Sequence, residues 1–401
     1  MGKKDEGTVR PAYDPDMILE HKGKNLINLI VYGILFTGYS LTFLVPKFYG
    51  ATDRYVGIFV FFACIVLFFN NLDLIRLIKG KNREFIFILI LLLITGINLL
   101  IVRSGLGAFF VAADFILIFY LSGYISFNRK YLMILSGMYV LLLLYWFVFA
   151  YDRLFADIAY FGYNTNTGAT FTIYTLLCAF LFLVILKEKY EIAGLFMTVL
   201  MVKGFQLALW HRARGAFVML IMFTLLYFIV PKKLWAKNGF YKFIWIFATA
   251  GSLVFVAFYI ILGTTGINFN IPFFYKSLFS GRELIWREFF ELFVKKPLTG
   301  IGTNVTIESF FEFNVHNAMY NFLVIDGIIV FAGILVLIYE RAALYKRSVS
   351  LSRVSMCAFC ILMAVFIESF FDVDLIWADY ALNLLYLVTM INSGSALDGK
   401  V

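Results

Sequence analysis

The sequence predicts an all-α, polytopic membrane protein with about 12 transmembrane helices and one large extracytoplasmic loop carrying an amphipathic helix. Three observations lead there. Of 401 residues, 62% are hydrophobic and only 15% are charged, where a soluble domain carries roughly a quarter charged residues. The apolar residues fall in long runs, and about 20 such residues cross ~30 Å of hydrocarbon at 1.5 Å per residue. The period-2 alternation of a membrane barrel is absent, so backbone groups in lipid have to be satisfied inside helices.

Twelve runs meet this description, at 25–45, 55–70, 84–102, 108–127, 131–150, 169–186, 191–210, 214–231, 240–262, 318–339, 354–372 and 376–392. They divide the chain into a cytoplasmic tail (1–24), nine spans (25–262), an extracytoplasmic loop (263–317), three spans (318–392) and a second cytoplasmic tail (393–401). The charged start, with Lys3, Lys4, Asp5 and Glu6, does not read as a cleavable signal, and the first run is long enough to stay as an anchor. Of 34 Lys and Arg, 22 fall in segments on the cytoplasmic side and 11 outside, with Lys203 alone inside a span. This alternation puts both termini in the cytoplasm. The formal charge of +9 is therefore topology, and no nucleic-acid partner is expected.

Several polar features inside or beside the spans have plain explanations. Cys64, Cys178, Cys357 and Cys360 all lie in spans, and the Cys357/Cys360 pair reads as two small residues on one helical face. Lys203 sits about two turns below the outer surface, where a lone charge is costly, and Asp114 is its expected partner. Asp14 and Asp16 are in the cytoplasmic tail; Asp372 and Asp374 end span eleven as a hydrated lip. The outer loop "YDRLFADIAYFGYNTNTG" (151–168) suits either sugar contact or an interfacial aromatic belt.

The long loop is too rich in Phe, Ile and Trp to be disordered, and loops of this length usually carry function. Within it, Ser280 and Glu283 form a capping box that opens a helix, and Pro297 follows its last turn. Ile285, Trp286, Phe289, Phe290, Leu292 and Phe293 cover one face. Glu283, Arg287, Glu288, Glu291 and Lys295 cover the other in i,i+4 pairs of alternating sign, so the helix lies on the outer membrane surface or caps a cavity. Arg282 breaks the pattern: it falls in line with Trp286, Phe289 and Phe293, in a first turn whose free N–H groups already favour an anion.

His211, Arg212 and Arg214 cluster at another outer mouth, and paired arginines suit a phosphate or diphosphate. His316 stands in "FEFNVHNAMYNF", with Asn317 and Tyr320 placed to orient it or a sugar. Arginines that hold a diphosphate beside one imidazole describe a group transfer in which pyrophosphate leaves. The arginines stabilise its growing charge and the histidine serves as base for a sugar hydroxyl. The expected catalytic residues are His316, Arg282 and Arg214. Arg212, His211, Asn317, Tyr320, Lys203 and Arg287 are expected to bind substrate, and no metal ligand set or nucleotide motif is present.

Three segments together resemble the bacterial O-antigen ligase and Wzy-type polysaccharide polymerase superfamily. "RARGAF" is similar to its S-R-G-A-like segment, with alanine in place of the serine. "SGRELIWREFFELFVKKPLTGIG" resembles its R-x-x-x-W helix and P-x-x-G-x-G turn, and "VHNAMYNFLVIDGIIVFAGIL" its H-N-led span. The resemblance covers about residues 212–335. It implies a GT-C-like glycosyltransferase of the bacterial cytoplasmic membrane, working without metal, nucleotide or other cofactor. Its donor and acceptor would be oligosaccharides on undecaprenyl pyrophosphate, with a flippase, a chain-length regulator and membrane lipid as partners, and its family motif residues would be Arg214, Arg282 and His316. The activity expected is polymerisation of a surface polysaccharide. Ligation to a different acceptor is the near alternative and lipid-oligosaccharide flipping the distant one; against flipping, no internal repeat is visible and the polar candidates gather at one face.

Overall fold

A computed structural model describes residues 24–394 apart from 81, 155–164, 266–269, 272–273, 275, 278 and 309–313. Most of both tails (1–23 and 395–401) and most of the 151–168 loop lie outside the described residues. The helices are α1 (Lys24–Leu44), α2 (Pro46–Asn71), α3 (Leu74–Lys79), α4 (Arg83–Val102), α5 (Leu106–Leu121), α6 (Arg129–Phe149) and α7 (Tyr151–Leu154). Then follow α8 (Thr165–Lys187), α9 (Ala193–Trp210), α10 (Arg214–Thr224, running on as a π turn to Ile229), α11 (Lys232–Ala236) and α12 (Asn238–Gly263). After a two-residue antiparallel pairing, β1 (Asn270–Ile271) with β2 (Lys276–Ser277), come α13 (Arg282–Phe293), α14 (Ala318–Leu351), α15 (Arg353–Glu368) and α16 (Ala381–Ser393).

Each of the twelve apolar runs falls on a helix, and among the described residues seven helices are long and apolar enough to cross a membrane. Large apolar side chains such as Leu100, Phe149, Val254 and Leu351 are exposed, as lipid-facing surfaces require. The fold is that of an all-α, multi-pass membrane protein. Short polar residues start several helices by accepting backbone N–H groups: Asp73, Asn82, Asn128, Asn317 and Ser352.

One helix is central. Every residue of α15 from Val354 to Glu368 is buried, and it packs against α8, α10, α12, α14 and α16. Polar pairs lock neighbouring helices together: Asn28 with Asn71 at 2.9 Å, Tyr39 with Thr175 at 2.6 Å, and Tyr139 with Asn383 at 2.8 Å. Arg341, expected in a cytoplasmic loop, is instead buried on the continuing α14, paired with Glu84 and set over the rings of Tyr120 and Tyr124. The four cysteines are buried thiols.

Two local expectations are corrected. Lys203 and Asp114 do not pair: the Lys203 ammonium reaches Tyr151 Oη at 3.1 Å and Gln206 Oε1 at 2.9 Å. Asp114, on α5, is 3% exposed and faces Gly57 on α2. Helical spacing puts the lysine at the right depth but gives no indication of which helices are neighbours. Nor does Ser280 cap α13. The N-cap is Gly281 at φ 84°, whose carbonyl takes the first helical N–H groups, so the capping box is not formed. On the charged face of α13, Glu288 Oε1 accepts from Glu308 N at 2.6 Å, tying the helix to the loop that follows it.

Most of the apolar face of α13 is covered by protein, but Phe290, expected on it, is exposed. Ile285, Trp286, Phe289 and Phe293 sit in a second apolar cluster with Val256 and Tyr259 of α12 and Val324 and Ile325 of α14. The following turn, Pro297 to Gly302, docks on a break in α14 at Gly327, where φ is 81°. Ile301 and Gly302 donate to the carbonyls of Val324 and Ile325 at 2.8 and 3.1 Å, and Ile328 donates to that of Pro297 at 2.9 Å. The broken helix thus recovers its backbone partners from the loop. At this contact only glycine fits. A Cβ on Gly300 would lie 2.6 Å from the backbone N of Gly327, and one on Gly327 would lie 2.5 Å from that of Gly300.

Ala at Gly300 or Gly327 should therefore cost more than the ~1–2 kcal/mol of a left-handed non-glycine residue. Gly137→Ala, with open space around the new Cβ, should be close to neutral. Thermal melts of the purified protein in detergent check this; equal melting points for all three variants would contradict the close-approach argument.

Candidate functional site

The site is built where the start of α10, the start of α13, the start of α14 and the turn after α15 meet. Arg214 opens α10, and its guanidinium donates to Ser280 Oγ at 2.6 Å, so the "RARGAF" segment is tied to the head of α13. Arg282, on the first turn of α13, reaches Asp372 Oδ2 at 3.8 Å. His316 Nδ1 lies 3.5 Å from the other oxygen of Asp372, a long polar contact. Asp372 therefore bridges the imidazole and the guanidinium.

His316 is held from behind. Asn317 is fully buried; its side chain accepts from Tyr320 N at 2.8 Å and Ser252 Oγ at 3.0 Å, and donates to the Phe370 carbonyl at 3.0 Å. Trp286 Nε1 donates to the Val315 carbonyl at 2.6 Å, and the Tyr320 hydroxyl donates to the Trp286 carbonyl at 2.9 Å. These bonds pin the chain on both sides of His316. Among the described residues, four non-glycine residues have positive φ: Arg103, Arg212, Ser280 and His316. The last three stand in or beside the segments that build this site. Such conformations cost about 1–3 kcal/mol and cluster where function needs a set geometry.

A small pocket is lined by Arg214, Gly215, Arg282, Glu368, Asp372 and Thr170, with about 30 Å3 of free room. A Cβ at Gly215 would fall 2.5 Å from Glu368 Oε1, so a larger residue there would have to displace that carboxyl. Burial opposes ionisation of Asp372, but His316 and Arg282 outweigh it and hold its carboxyl below the ordinary range. Asp374 goes the other way. Burial and then the charge of Asp372 push its carboxyl well up, and it is hydrogen-bonded to Glu368 and Thr170. Among the described residues, no group of three or more His, Cys, Asp or Glu is arranged to hold a metal ion.

Of the residues singled out from sequence, Arg214, Arg282 and His316 come together around Asp372. The others are elsewhere or turned to support. Asn317 and Tyr320 are buried in the scaffold beneath His316 and do not face the pocket. Lys203 is held at Tyr151, and Arg287 is exposed on the far face of α13. His211 is buried at the end of α9, and Arg212 is exposed in its left-handed turn; neither lines the pocket. Asp372, at the span end read as a hydrated lip, is partly exposed and meets the Arg282 guanidinium and the His316 imidazole. Its one sequence signal is a second acid two residues on, which does not reveal partners 56 and 90 positions away.

Asp372 also predicts an acid limit. Its folded-state carboxyl titrates below the unfolded value near 3.9, so unfolding takes up a proton. The stabilisation is complete above that value and is lost as pH falls through the folded one. Melting temperature should drop more steeply between about pH 5 and pH 3 in the wild type than in Asp372→Asn; parallel curves would remove Asp372 from the account. No protein-family model and no curated protein matches this chain.

Proposed function

We propose that this chain is a twelve-span, GT-C-like glycosyltransferase of the O-antigen ligase and Wzy-type polymerase superfamily. It transfers a glycan from undecaprenyl pyrophosphate to the end of another lipid-linked repeat unit on the outer face of the cytoplasmic membrane. The observation that carries the reading is the convergence of Arg214, Arg282 and His316, from three separate segments, on one acidic turn.

The positions support the following chemistry. The acceptor hydroxyl oxygen attacks the anomeric carbon of the donor, and the bond from that carbon to the phosphate oxygen breaks. Arg214 and Arg282 take the negative charge that grows on the departing diphosphate. His316 accepts the hydroxyl proton. Asp372, against Nδ1, holds the imidazole with Nε2 turned to the hydroxyl and stabilises the imidazolium that forms. The pocket as it stands holds little more than a water molecule. Binding the diphosphate therefore moves the guanidiniums off Ser280 and Asp372, toward a stronger charge-assisted pairing.

Purified protein given lipid-linked repeat units should build a ladder of products in buffer containing a chelator. His316→Ala should lower transfer about 10²–10⁴-fold, and Arg282→Ala about 10²–10³-fold. An intact ladder from His316→Ala sinks the base assignment. Asp372→Asn should cost about 10²-fold or more. Asp374→Asn, which replaces a carboxyl whose titration is pushed up by burial and by the charge of Asp372, should stay within a few-fold of wild type. The reverse order for the two aspartates would overturn the roles given to them.

A further inference from the structure

A second cavity is lined by residues that flank His316 and Asp372 in the chain. This one holds about 430 Å3, within the range of small-molecule sites. Its lining takes in Asn314 and Val315, which lead into His316, and Val373 and Trp377, which follow Asp372. The arginine pocket is lined by Asp372 itself with Arg214, Arg282 and Glu368. Asp372 thus lines a charged pocket, while the chain neighbours of His316 and Asp372 line a cavity with no Lys, Arg, Asp or Glu among its described lining residues.

We infer that the cavity beside Trp377 seats the terminal neutral sugar of the acceptor glycan and presents its hydroxyl to His316; this rests on the transferase reading above. Four features fit a pyranose. Trp377 is half-buried and offers an indole to the C–H face of a ring. The half-buried side-chain amide of Asn321 has no hydrogen-bond partner among the described residues, so it is available to sugar hydroxyls. Asn314 is already engaged: it accepts from His316 N at 2.8 Å, linking the cavity wall to the catalytic residue. Gly105, Gly107 and Ala108 form a wall with little bulk. The other large cavities, beside Tyr55 and beside Phe290, are lined almost wholly by hydrocarbon and suit lipid. With no charge among the described residues of its lining, the cavity favours a neutral sugar over a phosphorylated or uronic one.

The test is calorimetric titration of the full chain in nanodiscs with two probes. One is the neutral oligosaccharide released by mild acid from the producing cell's own envelope polysaccharide; the other is inorganic pyrophosphate. Asn321→Ala and Trp377→Ala should weaken oligosaccharide binding about tenfold or more and leave pyrophosphate binding unchanged. Arg282→Ala should do the opposite. Trp377→Phe should keep most of the sugar affinity; if Trp377→Ala does not fold, Trp377→Phe and Asn321→Ala decide the matter. Oligosaccharide that fails to bind the wild type, or binds all these variants equally, overturns the subsite. Sugar binding that behaves as expected in a protein with no transfer activity would instead overturn the transferase reading alone.

Discussion

The buried amide of Asn317 is the contact on which the site's geometry depends. It makes three hydrogen bonds at once, to the first turn of its own helix, to Ser252 on α12 and to the Phe370 carbonyl in the turn after α15. An apolar replacement of the same shape would leave a buried hydroxyl, an N–H and a carbonyl without partners, at ~1–3 kcal/mol each. Because the same amide joins α14 to the turn that carries Asp372, His316 and its carboxylate are set by one residue. The left-handed backbone at His316 is sustained by these flanking bonds.

Above that node, charge is arranged in layers. The arginines face a carboxylate held ionised, and behind it lies a carboxyl pair, Asp374 and Glu368, at the top of the fully buried α15. A helix buried on all sides is a rigid post, and a rigid post at the base of a charged site limits reorganisation. The amphipathic α13 contributes Arg282 from its buried side, with Trp286 on the same face anchoring the histidine segment.

Much of this is legible in the residues themselves. Hydropathy locates each long helix because burial in lipid leaves the backbone no alternative, although α2 begins nine residues before its apolar run and α14 continues twelve beyond its own. Arg282 stands out because a charge on the apolar face of an amphipathic helix demands a partner. The partner itself, Asp372, does not stand out, since a carboxylate's neighbours across a bundle leave no trace in its own segment. For the same reason depth alone pairs Lys203 with Asp114, although their helices hold them apart. Asn317 and Tyr320 belong to the right neighbourhood but perform a different task, because a scaffold amide and a ligand-facing amide look identical in sequence.

The docking of Pro297–Gly302 on the break at Gly327 bears on how the protein is assembled. The paired stretches of backbone, at 301–302 and 324–325, are close in the chain, so joining them closes only a short loop at small entropic cost. That unit can form as soon as α14 is present. By contrast, Asp372 reaches His316 only after α15 has entered the centre of the bundle. The arginine helix and the histidine are thus a local product of synthesis, and the carboxylate that joins them is the last piece, supplied when the final helices close the bundle around α15.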